Sequence, residues 1–496
     1  MQKFNTIICI GNGNELASAM ANQIATQHNI DYHGILEPAT NLLPGGYHTS
    51  IYDIKLPKLV EKITGIQNLK IVVLDQGQTC YNDNKEFYDT LEFGQALHNY
   101  ATVEFINPMW SNSMRQILET NKSFCILPFM SINYANKIAR HCCWMKPIGN
   151  NYTDFENNPG SVVLRKKMLA GEKDPICAQC YRIEDVGGIS QRQVQSTEWS
   201  YRLGVNSLCQ LETKLIHYEI PLGNQCNLLC RMCNPASSNL IDQEYTKIGL
   251  SSIPIGITAP DYFDRIDMDT VQKISIAGGE PTINDNFIKF LERCIELART
   301  DIEISITTNC VSLPRRFLNL IPHFKNFRCS ISVDGFDQLN HYIRWPTQWT
   351  KLTENIQELT QLIKPYNYNF NTTVSIYNIS QLYNLFNFLE TTYPGIHCEI
   401  IYLEEPSYQQ ASNYPNKETA LAELKRVQSL TLYQKNENFK KKIDGLVNLI
   451  SNSTVDYKKL QAFYEFNDRL DASRCVKLAD YIPELEQCRD SITNQI

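Results

Sequence analysis

The sequence predicts an α/β protein centred on a partial (β/α)6 TIM-like barrel. A cysteine-rich segment and an N-terminal Rossmann-like α/β domain precede the barrel, and a helical C-terminal tail follows it. Three patterns point to this. From Leu215 onward six short apolar runs alternate with helical stretches, upstream of them cysteines crowd a turn-rich region, and beyond Pro406 the spacing is helical. Alternating strands and helices specify a parallel sheet, because each helix carries the chain back to begin the next strand in the same direction. The implied division is an α/β domain over 1–115, a cysteine-rich segment over 116–210, the barrel over 211–405 and a helical extension over 406–496.

Thr6–Ile10 reads as a strand running into Gly11-Asn12-Gly13 and then a helical stretch from Glu15 to about Gln27. Further strands fall near Tyr32–Leu36 and at Leu69–Leu74. The strand, Gly-x-Gly turn and helix start have the form of a phosphate cradle. Leu16 occupies the third glycine position of that fingerprint, so the preferred reading is an accessory domain that positions a substrate or partner, with Pro44–Thr49 as a surface turn. From Phe124 to about residue 210 the pattern is irregular around one short helix, Val162–Leu169. Such a segment has little core of its own and needs a metal site to hold it.

The barrel strands are Leu215–Pro221, Lys273–Ala277, Ile302–Thr307, Arg328–Val333, Asn371–Ile376 and Glu399–Leu403. Catalytic residues of parallel barrels gather just past strand C-termini. Lys417–Leu432, Asn436–Ile450 and Asp456–Asp471 follow as helices.

Composition narrows the function. With 496 residues, 43% hydrophobic and 20% charged, the chain is an ordinary globular protein of about two to four domains. Its net charge of −7 offers no overall basic field for nucleic acid. No run approaches the ~18 consecutive apolar residues of a membrane span, and Met1 opens on a strand without a basic leader, so a cytoplasmic protein is expected. Seventeen cysteines in that setting read as metal ligands, catalytic thiols or small buried residues rather than disulfides.

Directly after the first barrel strand stands Cys226-Asn-Leu-Leu-Cys230-Arg-Met-Cys233. Three thiolates on one loop can wrap a soft metal centre, and three ligands to an iron–sulfur cubane leave one iron open for a small chelator. The competing readings are a zinc knuckle short of its fourth ligand and buried thiols. Structural zinc sites are closed, whereas this triplet lies where a barrel collects its chemistry.

The triplet, with Met232 where an aromatic is commoner, resembles the cluster motif of the radical S-adenosylmethionine (radical SAM) superfamily. Ala277-Gly278-Gly279-Glu280-Pro281 after the second strand resembles the superfamily's stretch that hydrogen-bonds the cofactor's methionine amino group. By the same resemblance Asn309, Ser332 and Asp334 contact the ribose and methionine portions and Arg344 the carboxylate, while Asn378 lies at the fifth strand's end. Glu404 and Glu405 at the end of the sixth strand are the candidates for proton transfer.

Upstream, Cys125, one of the adjacent Cys142 and Cys143, Cys177 and Cys180 can supply four ligands to a second centre. Neighbouring cysteines point different ways on extended backbone, and Cys142 is preferred. Spacing alone suits zinc as well as iron–sulfur. The segment, including Leu164–Glu172 and Glu184–Arg192, together with Phe466–Asp471 and Pro483–Leu485, resembles twitch domain-containing radical SAM proteins over about residues 120 to 490, which implies an auxiliary iron–sulfur cluster. The resemblance implies a [4Fe-4S] cluster with an open iron, S-adenosyl-L-methionine, and an electron donor such as ferredoxin or flavodoxin. It also implies an enzyme modifying a peptide or protein side chain. The alternatives are a small-metabolite or nucleoside substrate and, from another class, a non-catalytic zinc scaffold.

Overall fold

The structure is a computed structural model that describes residues 6–10, 35–36, 69–74, 102–106, 112–135, 138–148, 154–185, 190–203, 208, 211–250, 262–363 and 367–489. The expected helix from Glu15, the Gly11-Asn12-Gly13 cradle, the Pro44–Thr49 turn and Gly187–Gly188 lie outside the described residues. The chain forms two compact units, one of residues 1–132 and 139–214 and one of residues 133–138 and 215–496.

In the first unit β1 (Thr6–Ile10), β2 (Ile35–Leu36), β3 (Leu69–Leu74) and β4 (Thr102–Ile106) make a parallel sheet of order β2-β1-β3-β4. The cysteine-rich segment is more helical than its sequence suggests. Besides Pro159–Leu169, which contains the expected helix, it forms helices at Leu127–Met130, Ala178–Asp185 and Gln191–Arg202, and the short strands β5 (Ser131–Ala135) and β6 (Ile138–Arg140). The reason is visible in Gln191–Arg202, which buries Arg192, Ser196, Thr197 and Ser200 along with Trp199. A helix whose inward face is mostly polar shows no apolar stripe to read.

In the second unit β7 (His217–Pro221), β9 (Lys273–Ala277), β10 (Glu303–Thr308), β11 (Phe327–Ser332), β13 (Tyr368–Val374) and β14 (Cys398–Tyr402) pair in chain order, each neighbour parallel. These are the six expected barrel strands, displaced by at most a few residues. Asn133–Ala135 of β5 stands at the β7 edge. A separate two-residue ribbon pairs β8 (Leu229–Cys230) antiparallel with β12 (Arg344–Trp345).

Isoleucines 220, 274, 276, 304, 306, 331 and 400 are buried along the strands. The helix Asp285–Glu296 covers them with Phe287, Ile288, Phe290, Leu291 and Cys294, one face of a 3.6-residue period. Asn284 caps it by accepting from Phe287 N at 2.9 Å. Each fully buried large apolar side chain contributes about 1.5–3 kcal/mol, so this layer sets a rigid frame for the strand ends.

The tail forms helices Lys417–Val427, Thr431–Lys435, Glu437–Asn452 and Tyr457–Arg474. The first expected helix breaks in two near Ser429, and Asp456 caps the last by accepting from Lys458 N and Lys459 N. Among the described residues no helix is long and apolar enough to cross a membrane.

Candidate active site

After β7 the chain turns at Gly223, and Leu222 N continues the ladder onto Ala277 O at 2.8 Å. The loop then carries Cys226, enters β8 with Cys230 and turns out again at Cys233. In the β8–β12 ribbon Cys230 sits directly opposite Arg344. Burial raises the Cys226 thiol to about 11 and the Cys233 thiol to about 12, with the neighbouring Cys230 as the next cause in each case. Burial likewise pushes Cys230 up, while Arg344 opposes the shift. Three crowded thiols hold their protons at neutral pH unless a cationic centre compensates them together.

Donors already face the sulfurs. Leu228 and Asn234 backbone N–H groups hydrogen-bond Cys226 and Cys233, and Asn309 Nδ2 lies 4.0 Å from Cys226 Sγ. Among the described residues no three His, Cys, Asp or Glu side chains converge tightly enough for a single metal ion. The triplet is instead an electrostatically coupled set. Its all-thiol chemistry and surrounding N–H donors fit an iron–sulfur group.

The glycine pair is packed against this loop. Gly278 and Gly279 have φ of +84° and +56°, and a Cβ on Gly279 would stand 2.3 Å from Gln225 O. Glu280 N donates to that same carbonyl at 2.8 Å. Only glycine permits both the left-handed backbone and the close approach. Gly279→Ala is therefore expected to cost about 1–3 kcal/mol from the backbone conformation alone, plus the displacement of Gln225. A lowered thermal midpoint together with reduced metal loading at the triplet checks it; an unchanged midpoint rejects the packing argument.

Glu280 is 1% exposed and bound on both oxygens. Oε1 accepts from Thr282 N, Thr282 Oγ1 and Thr308 Oγ1 at 3.1, 2.8 and 2.7 Å, and Oε2 accepts from Asn309 N at 2.7 Å. Burial raises its pKa and these four donors oppose the rise. Glu280 thus ties the end of β10 to the glycine turn, while Pro281 opens a buried turn of 3-10 helix. Asn309 reaches the cysteine loop through Nδ2 to Asn227 Oδ1 at 2.7 Å.

Other expected cofactor contacts are engaged with one another. Arg344 Nη1 donates to Asp334 Oδ2 at 2.5 Å, and Asp334 Oδ1 accepts from Thr373 N at 2.7 Å. Burial disfavours the Arg344 charge, but Cys230 and Asp334 outweigh that and raise its pKa. Asn378 donates to Asp334 O and Thr373 O and accepts from Ser375 N, so its side-chain amide acts as a clamp between β11 and β13. Ser332 is half-buried at the end of β11. Glu404 and Glu405 are exposed past β14, and the Glu405 carboxylate accepts from Ser407 N in its own turn. Cys310, next to Asn309, is buried.

The feature that sequence reading missed is Arg231, between Cys230 and Cys233. It is 1% exposed, lies 3.5 Å over the Tyr342 ring and donates to Tyr342 O, Asn467 Oδ1 and Asp471 Oδ1 at 2.8, 2.8 and 2.5 Å. A second buried ion pair, Arg474 to Glu244, adds two bonds of 2.9 and 2.6 Å. An arginine inside the cysteine spacer was the available signal, though Tyr342 lies 111 residues away and Asn467 and Asp471 more than 200.

In the first unit Cys125, Cys142, Cys177 and Cys180 line one cavity with Met145, Met168 and Arg192. Cys143 is exposed and is not part of that lining. Burial raises Cys177 to about 12, with Cys142 and Cys180 as the next causes. His141, beside them in sequence, is occupied: Nδ1 faces Ser131 O at 2.8 Å, so it carries the proton, and Nε2 accepts from Ser161 Oγ at 2.9 Å.

Residues 220–389 match the Radical SAM superfamily. An uncharacterized protein of Methanocaldococcus jannaschii is 26% identical over 164 residues, covering 33% of this chain and 53% of that one. Similar solved structures include anSMEcpe with bound AdoMet, at 16% identity and TM-score 0.33, covering 49% of this chain and 61% of that one. Streptococcus suis SuiB bound to S-adenosylmethionine matches at 16% identity and TM-score 0.29, covering 60% of this chain and 61% of that one. The chain spans about half the length of the curated relative and about three fifths of each solved structure.

Proposed function

We propose that this chain, with its radical SAM domain over residues 220–389, is an enzyme that reductively cleaves S-adenosylmethionine and abstracts hydrogen from a peptide or protein side chain. The observation that supports this most is the coupled thiol triplet at the C-terminal end of β7, braced by the glycine pair and faced by the half-buried Arg344. Cys226, Cys230 and Cys233 would hold a [4Fe-4S] group with an open iron, which supplies one electron to the sulfonium, giving methionine and a 5′-deoxyadenosyl radical.

The chain's own residues supply position. The backbone at Gly278 and Gly279, free of Cβ atoms, lets a ligand amino group approach the turn that Glu280 and Pro281 fix. Arg344 is held by Asp334 and stands opposite Cys230 in the β8–β12 ribbon, where its remaining donors suit a carboxylate. Asn309 and Ser332 at strand ends are the polar contacts for the nucleoside, and Asn378 keeps Asp334 in place. For proton transfer we assign Glu404 ahead of Glu405, whose carboxylate caps its own turn.

The upstream cavity fits a second centre on Cys125, Cys142, Cys177 and Cys180, which we read as an auxiliary iron–sulfur cluster. The peptide substrate rests on the resemblance of residues 120 to 490 to auxiliary-cluster proteins. A one-electron carrier such as ferredoxin or flavodoxin completes the scheme.

Anaerobic reconstitution, metal and sulfide analysis, and dithionite reduction with S-adenosylmethionine test the reading. About eight irons per chain, as two four-iron groups require, and formation of 5′-deoxyadenosine are expected. A colourless, zinc-loaded protein that leaves S-adenosylmethionine intact rejects it in favour of a scaffold. A short peptide encoded beside the gene is expected to change mass in the same assay; turnover of a metabolite or nucleoside instead rejects the peptide assignment.

A further inference from the structure

We infer that Arg192 is the built-in counter-charge of the upstream cysteine centre, a positioning residue that donates a hydrogen bond into the cavity and raises the reduction potential of the cluster bound there. The inference rests on the auxiliary-cluster reading and extends it to one side chain.

Arg192 is 2% exposed and lines the same cavity as Cys125, Cys142, Cys177 and Cys180. Two of its three nitrogens are committed. Nη1 donates to Phe124 O at 2.8 Å, directly before Cys125, and Nη2 pairs with the Glu184 carboxylate. Glu184 is fixed in turn by the Ser190 hydroxyl. The third nitrogen, Nε, is buried without a hydrogen-bond partner. A buried guanidinium N–H left unpaired costs about 1–3 kcal/mol or more, which a structure sustains when the missing acceptor belongs to something the site is built to hold.

The surroundings say what that acceptor is. The cavity that Arg192 lines is walled by four cysteine sulfurs and two thioethers, beside Leu127, Trp144 and Gln191. The Arg192 backbone N–H faces the Cys180 sulfur, while the Ser190 hydroxyl is committed to Glu184. Arg192 therefore brings a backbone donor and a cation to a pocket lined by four thiols and the thioethers of Met145 and Met168. Four thiolates around a [4Fe-4S]²⁺ core leave a net charge of −2, and sulfur accepts hydrogen bonds from N–H groups. Charge and hydrogen bonding to the sulfurs are among the levers that set cluster potentials. The four-cysteine lining also fills all coordination positions, which suits electron relay.

The test uses the full chain with Cys226, Cys230 and Cys233 all changed to Ala, so that only the upstream centre remains. Iron and sulfide analysis after anaerobic reconstitution examines the underlying reading by itself. A zinc-loaded or metal-free site overturns that reading and this inference with it. With the cluster present, Arg192→Met is expected to shift the reduction equilibrium at least tenfold toward the oxidised form, a fall of about 59 mV for one electron in an EPR-monitored titration. Arg192→Lys, which keeps the charge and loses the fork, is expected to fall between. An unchanged potential in a fully loaded Arg192→Met protein overturns the inference and leaves Arg192 as a brace for Phe124. A second measurement needs no change at position 192: with arginine labelled with ¹⁵N only in its guanidinium group, pulsed EPR of the reduced cluster is expected to show a ¹⁵N coupling. Its absence also overturns the inference.

Discussion

Asp471→Ala is expected to destabilise the second unit by about 3–5 kcal/mol and to empty the cysteine triplet of iron. The residue lies in the last long helix, yet its carboxylate holds the guanidinium of Arg231, accepts the Tyr342 hydroxyl and accepts Leu478 N at 2.7 Å. Removing it leaves a fully buried cation between Cys230 and Cys233, with only Asn467 and a backbone carbonyl as polar partners. The loss of one partner of a buried pair costs far more than the pair's net contribution, because the remaining charge has no water to turn to. The double variant Arg231→Met with Asp471→Leu should therefore be more stable than Asp471→Ala alone. Denaturation midpoints followed by fluorescence, with iron measured on the same samples, check both statements. If Asp471→Ala melts like the parent and loads fully, the network has been given too much weight.

Cys230→Ala is expected to abolish S-adenosylmethionine cleavage while the upstream centre keeps its metal. Cys230 is held in the β8–β12 ribbon by backbone pairing, so truncating the side chain leaves that register in place. What goes is one of three ligands, and a cluster held by two thiolates does not survive reduction in the presence of chelating substrate. Cys143→Ala is the matched control, since Cys143 is exposed and lies off the upstream cavity. Cys142→Ala should instead remove the upstream iron. Cleavage that persists in Cys230→Ala would move the catalytic centre elsewhere; iron lost on Cys143→Ala in place of Cys142→Ala would reverse the choice between the adjacent thiols.

The barrel was legible because its strands are short apolar runs between turn residues, and burial of one sheet face imposes that pattern locally. Lys273–Ala277 was read with its observed ends, and the remaining barrel strands shifted only slightly. The helix at Gln191–Arg202 escaped notice because its buried face carries Ser, Thr and Arg, whose burial depends on partners such as Phe124 O and Ile126 N, and Ala178–Asp185 because it buries only Cys180 and Tyr181. At the site, residue types at strand ends were readable, but their mutual engagement was not. Asp334 and Arg344 were expected to reach a ligand independently, whereas the structure joins them in one ion pair. Arg231 shows the same limit in sharper form: nothing within the triplet's own neighbourhood encodes a partner 240 residues away.

That separation also sets a clock. A ribosome adds about 5–20 residues per second, so Asp471 follows Arg231 out of the exit by about 12–48 s. Throughout that interval the nascent cysteine loop exists without its C-terminal clasp, its thiols open to dioxygen and to adventitious metals. A chain halted before Tyr457–Arg474 carries Cys226, Cys230 and Cys233 but not the helix that fixes the loop bearing them.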